Sequence, residues 1–233
     1  MFLVTFLSLL SLYLLYHHFK YNSPPFLKSK KKILLVIAHP DDEVMFFGPT
    51  LLAIKREEIP IQVLCLSNGN ADSLGQIRES ELKKSLYNLG ISDVIIVNDD
   101  AIKDGFHSWD PVIISSYIQK YSLGVSSILT FDDYGISGHP NHISLYHGLK
   151  AFLKENTGIK GYCLKSISII RKFTFMIDII PTIISSDFTI TASVGEYFTI
   201  RNSMLLHQSQ MLWFRYFYIT LSRYMIINDW EKV

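Results

Sequence analysis

Charge of one sign is missing from this sequence. Twenty-two lysines and arginines face 21 acidic residues, a net charge of +1 over 233 residues. Without a basic excess there is no electrostatic footprint for nucleic acid, and no nucleic-acid partner is expected. Cysteine is scarce: Cys65 and Cys163, both inside apolar runs. That excludes a disulfide framework and suits two buried thiols in a reducing compartment. Charged residues of either sign make up only 18%, below the usual value of about 25%. Hydrophobic residues reach 48%, which rules out a disordered chain. The mean hydropathy of +0.22 is high for a soluble domain and low for a polytopic membrane protein. One soluble domain with a single membrane segment fits. No internal repeat or low-complexity tract appears, and the length suggests one domain, or two at most.

Residues 1–19, MFLVTFLSLLSLYLLYHHF, contain no Lys, Arg, Asp or Glu. As a helix they would span roughly 28 Å, close to a bilayer core. A cleaved signal peptide needs a basic start and small residues at its end. The first basic residue is instead Lys20, and Tyr16, His17, His18 and Phe19 are bulky. An uncleaved transmembrane anchor is the expectation. Lys20, Lys28, Lys30, Lys31 and Lys32 then put the rest of the chain on the cytosolic side. Residues 20–32, with Pro24-Pro25, read as a basic linker.

From Ile33 onward strand and helix patterns alternate. Apolar runs predict strands at 33–38, 61–66, 94–97 and 127–131, the first reading as a strand buried on both faces of a parallel sheet. Helices are expected at 42–57, 76–89, 111–121 and 140–156. Residues 162–173 and 188–200 read as further strands or strand–helix mixtures. This order predicts an open α/β sheet, with its ligand site beyond the carboxyl ends of the strands.

Two motifs sit at such ends. The first strand runs into His39-Pro40-Asp41-Asp42-Glu43, and the fourth into Asp132-Asp133-Tyr134-Gly135, then His139-Pro140-Asn141-His142. A catalytic zinc takes three protein ligands and an open position. His39 and Asp42 lie three apart on a turn into a helix. His139 and His142 lie three apart at a helix start. Four candidates thus exist for three ligand positions, leaving a carboxylate and an imidazole for acid–base work.

Together these segments resemble the LmbE-like, or PIG-L, family of metal-dependent de-N-acetylases. Gly75-Gln76-Ile77-Arg78-Glu79-Ser80-Glu81-Leu82 is similar to the family's G-x-x-R-x-x-E-L helix start. His207-Gln208-Ser209-Gln210, Leu212-Trp213-Phe214-Arg215 and the N-terminal anchor resemble its membrane-anchored branch, which acts in GPI-anchor synthesis. The resemblance covers roughly residues 33–210 and implies a Rossmann-like, mostly parallel sheet with flanking helices. It implies a divalent metal, zinc above all, on His39, Asp42 and His142, with Asp41 as general base. His139 would polarise the acetamide carbonyl or protonate the leaving amine. Asn141 stands where the family motif often has Asp, so no carboxylate is expected there. The implied substrate is the glycolipid N-acetylglucosaminyl-phosphatidylinositol, and the implied location the cytosolic face of the endoplasmic reticulum membrane. Another N-acetyl sugar, or a non-catalytic membrane-associated module, are the competing readings.

Arg78 is the candidate substrate contact, since a guanidinium binds phosphate or sugar oxygens bidentately; an ion pair with Glu81 is its plain alternative. Asp132 and Asp133 could orient a ligand histidine, or be turn residues. His107 could border the substrate, and His147 is a surface or packing residue. Residues 211–227 hold six aromatics between Trp213 and Tyr224, with Arg215 and Arg223. They read as an interfacial helix with both arginines at the headgroups.

Overall fold

The computed structural model describes residues 5 and 23–233, without the side chains of 183 and 184. The expected spanning segment at 1–19 lies outside the described residues, save Thr5. Among those described, no helix is long and apolar enough to cross a membrane.

Seven strands form one sheet in the order β3-β2-β1-β4-β5-β7-β6. β1 (Lys32–Ile37), β2 (Ile61–Cys65), β3 (Val94–Ile96), β4 (Val125–Phe131) and β5 (Lys160–Leu164) pair in parallel. β6 (Phe188–Thr191) and β7 (Ile227–Lys232) add an antiparallel edge. All residues of β1 after Lys32 are buried, the continuous apolar pattern of a strand covered on both faces. β1 continues toward β2 on one side and is flanked by β4 on the other. The crevice between the ends of β1 and β4 is therefore the switch point where ligands bind in open α/β sheets.

The helices follow the expected pattern with one break. Residues 42–57 are not one helix but two, α2 (Asp42–Met45) and α3 (Gly48–Arg56). Pro49 has no N–H to continue the ladder of the first, so a second helix begins there. α4 (Gly75–Asn88), α5 (Pro111–Tyr121) and, after the single turn α6 (Gly135–Gly138), α7 (Pro140–Glu155) follow, and α4, α5 and α7 lie within one residue of their expected bounds. Asp110 caps α5, its carboxylate accepting from the Val112 amide (2.8 Å). The expected linker is not free of the domain. It forms α1 (Pro25–Lys28), whose buried Phe26 meets the rings of Tyr162 (5.1 Å) and Trp230 (5.4 Å).

The C-terminal third departs most from expectation. Residues 162–173 hold the end of β5 and α8 (Ile169–Lys172), α9 (Ile179–Ser185) follows, and 188–200 hold β6 and the first half of α10 (Val194–Leu205). The expected interfacial helix at 211–227 is shorter, α11 (Trp213–Leu221). Of its two arginines, Arg215 turns toward Asp41 (3.2 Å) and Arg223 is not at the surface at all. Arg223 is fully buried, 2.9 Å from Asp178 and 2.9 Å from Asp229. Arg171 closes the network on Asp178 from the other side, at 2.7 and 3.0 Å. The network ties α8 and the turn after it to β7. Replacing Arg223 by Met should cost about 3–5 kcal/mol, because buried carboxylates lose their counter-charge. Urea denaturation measures this; an unchanged midpoint would show the network to be idle.

Candidate active site

The chain leaves β1 through a strained turn. Asp41 has φ +109°, a conformation costing a non-glycine residue on the order of 1–3 kcal/mol. Its amide donates to Glu43 Oε2 (3.0 Å), and its carbonyl accepts from the Met45 amide (3.0 Å). Glu43 is itself fully buried, accepting from Ser85 Oγ (2.7 Å) and bound to His207 Nε2 (2.6 Å). His207 thus acts at a distance from the pocket, by anchoring the residue that holds the Asp41 turn.

The turn presents Asp42 with its two oxygens divided. Oδ2 accepts from the amides of Ala38 (3.0 Å) and His39 (2.9 Å). Oδ1 lies 3.2 Å from His142 Nε2. His142 has its Nδ1 against the carbonyl of Gly135 (3.1 Å) and its ring stacked on Phe131 at 4.1 Å. Gly135 makes this possible: φ is +63°, and a Cβ there would come within 2.6 Å of the His142 Cβ. With Nδ1–H donated, His142 Nε2 and Asp42 Oδ1 are two facing acceptors. Only a proton or a cation can lie between them.

His39 is oriented in the same way. Asn141 Nδ2 donates to the carbonyl of His107 (2.7 Å), so its Oδ1 faces His39 Nε2 (2.8 Å). Asp104 Oδ1 approaches the same nitrogen at 3.0 Å. Nε2 then carries the proton and Nδ1 is left free as a donor atom. Donor atoms of His39, Asp42 and His142 lie within 4.8 Å of one another, all three residues buried. Two imidazoles and a carboxylate suit zinc and several other divalent ions. His39, Asp104 and His139 form a second, overlapping group, less buried.

Charge is arranged accordingly. Burial alone would raise the Asp42 carboxyl, but the His142 and His39 imidazoles hold it well below the usual range. Burial dominates at Asp41 and raises it, against the opposing charges of Arg215 and Arg78. Arg215 reaches Asp41 Oδ2 at 3.2 Å. Burial, with the charges of His39 and His142, brings His139 down to about 4. Its Nδ1 accepts the Asn141 amide (3.3 Å), so a neutral His139 keeps its proton on Nε2.

All six expected site residues meet in one cavity of about 550 Å³. His39, Asp41, Asp42, His139 and His142 line its polar end. Arg78 forms part of the wall, but its terminal nitrogens are engaged by the carbonyls of Gly69 (2.9 Å) and Pro40 (2.7 Å) and by Asp104 (3.2 Å). The Glu81 carboxylate binds Ser209 instead of Arg78. Asp132 caps its own turn, accepting from the Gly135 amide (2.9 Å) and Ser166 Oγ (2.6 Å). His147 is exposed.

Two residues were missed from sequence. In sequence, Arg215 stands with Arg223 in an aromatic stretch, the pattern of an interfacial helix, and nothing there ties it to Asp41. Asp104 sits in a polar loop with no motif, yet it supplies the carboxylate that Asn141 does not. Asp104→Asn should weaken cation affinity about 10–100-fold, the usual effect of losing a ligand's hydrogen-bond partner. Competition with a chelator measures it; unchanged affinity would leave Asn141 as the sufficient partner.

The chain matches the family described as PIG-L: GlcNAc-PI de-N-acetylase over residues 34–153. It is 42% identical to a probable N-acetylglucosaminyl-phosphatidylinositol de-N-acetylase of Schizosaccharomyces pombe, covering 85% of each chain. It is 36% identical to the N-acetylglucosaminyl-phosphatidylinositol de-N-acetylase of Bos taurus, covering 85% of this chain and 82% of that one. Its fold is similar to that of N,N'-diacetylchitobiose deacetylase from Pyrococcus horikoshii, with TM-score 0.61 at 13% identity, covering 87% and 84% of the two chains. The paired histidine–carboxylate turns at the ends of β1 and β4 thus have a family to go with them, and this chain belongs to it: the PIG-L de-N-acetylases.

Proposed function

We infer that this chain hydrolyses the acetamide of N-acetylglucosaminyl-phosphatidylinositol, giving acetate and glucosaminyl-phosphatidylinositol, an early step of GPI-anchor biosynthesis. The observation that carries this is the convergence of His39, Asp42 and His142 with Asp41 and His139 in one pocket, in a chain of this family. His39 Nδ1, Asp42 Oδ1 and His142 Nε2 would hold a divalent cation, zinc by the donor set. Such a cation acts as a Lewis acid, making water nucleophilic at neutral pH and drawing charge from the acetyl oxygen.

The protein's own groups do the rest. Asp41 takes a proton from the attacking water, its burial favouring the protonated product. His139 Nε2–H donates to the acetyl oxygen as negative charge gathers there. The carbon–nitrogen bond then breaks, and the proton held by Asp41 passes to the departing amine. Arg215 stays beside Asp41 throughout and keeps its carboxylate aimed into the cavity.

The proposal extends to location. Residues 1–19 form a single membrane anchor, and the domain faces the cytosol at the endoplasmic reticulum. Support comes from the uncharged run and the lysines that follow it. Purified full-length protein should release acetate from the glycolipid, lose this on chelation and regain it with zinc. No turnover by the zinc-loaded protein, or turnover indifferent to chelation, would overturn the reading. Protease protection of sealed microsomes tests the orientation.

A further inference from the structure

Among the described residues, 20 large apolar side chains are exposed, and 12 of these lie on two short stretches, residues 169–180 and 212–221. Ile170 is 77% exposed, Ile177 73% and Trp213 75%. The stretches meet where the Phe173 ring lies 6.3 Å from that of Tyr218 and Lys172 Nζ sits 5.9 Å from the same ring. Both frame the active-site cavity, Lys172 and Phe173 from one side, Trp213, Phe214 and Phe217 from the other. α11 buries Tyr218 and Ile219 against the domain and carries Trp213, Tyr216 and Phe217 outward. A helix apolar on both sides needs a second apolar neighbour.

We propose that this rim seats the mouth of the cavity on a lipid bilayer surface, a contact separate from any anchor at residues 1–19. Charge selects this occupant. The rim carries the half-buried cations Arg171 and Lys172, Arg215 being turned inward to Asp41, and the one acid of the two stretches, Asp178, is buried between Arg171 and Arg223. No exposed carboxylate is left to repel an anionic leaflet, and Trp, Tyr and cations among aliphatics make up an interfacial surface. The inference rests on the glycolipid reading above. There the sugar is tethered to lipid, so a mouth opening within the apolar rim meets its substrate without lifting it out of the membrane.

Trp213 provides the probe, since Trp109 and Trp230 are buried. Full-length protein is bound to vesicles of phosphatidylcholine and phosphatidylinositol, the former brominated at a shallow acyl position. Tryptophan emission should be quenched, and Trp213→Phe should abolish the quenching. The double variant Ile170→Glu, Ile177→Glu should lose most of it. That variant should keep wild-type turnover of a soluble N-acetylglucosaminyl-inositol phosphate while kcat/KM on the vesicle-borne glycolipid falls at least about tenfold. No quenching of the wild type overturns docking, as does equal loss on both substrates. Protection of Trp213 by dimerisation in sedimentation, without quenching, assigns the rim to a second copy and overturns it too. Quenching with no turnover of either substrate upholds docking and removes the deacetylase reading alone.

Discussion

Asp41→Asn protein should hold its cation and turn over about 10²–10⁴-fold more slowly, the range for a lost general base. An amide has nearly the shape of a carboxylate, so the strained turn is retained. Asn also tolerates positive φ better than most residues. Asp41 Oδ2 meets Arg215 at 3.2 Å, and an amide oxygen can still accept from that guanidinium. Nothing in the contacts of His39, Asp42 or His142 involves the Asp41 side chain, so cation affinity should be unchanged. What is lost is a site for the proton. The measurement is kcat on the glycolipid alongside metal content by atomic absorption. A loss below tenfold in fully loaded protein would mean that another group takes the proton.

His142→Ala should lose both cation and activity. It removes one of three donors and leaves Asp42 Oδ1 facing an empty space. The change also unpairs a buried carboxylate that His142 helps to hold ionised. The fold should survive, since the ring stacks on Phe131 at the surface of the cavity and the core beneath belongs to β1 and β4. Circular dichroism and metal analysis separate the two effects. Full metal occupancy in a folded variant would refute the ligand set of His39, Asp42 and His142. A variant that loses the metal but keeps its turnover would refute the role assigned to the cation.

The parts of the fold legible in the sequence were those written in periodicity. Ile33-Leu34-Leu35-Val36-Ile37 reads as a buried strand by its shortness and β-branched content, and Pro111 and Pro140 mark helix starts by their missing N–H. The site was legible because its chemistry is local: each HP motif keeps its donors within four residues. What could not be read was long-range. Nothing near Asp104 says that it will meet His39, 65 positions away in the chain. β7 was missed for a related reason. Its INDWEK sequence is polar, and only tertiary partners make it a strand. Asn228 is buried because its Oδ1 accepts from the Thr50 amide (3.1 Å) and hydroxyl (2.7 Å), and Asp229 because Arg223 faces it. Arg215 and Arg223 stand among aromatics, which is how an interfacial helix and a site wall both look in one dimension.

That last strand has a practical consequence. β7 runs antiparallel to β5, so it carries the chain away from the catalytic edge of the sheet. The Val233 amide ends on the carbonyl of Gly161 (3.0 Å), at the opposite edge. Extra residues appended there, such as an affinity tag, would project from the side of the molecule remote from its mouth. Trimming residues 227–233 would do the reverse. It would strip Asp229 from Arg223, the arginine that also holds Asp178 beside Ile177, so damage made at the far edge would be felt at the entrance.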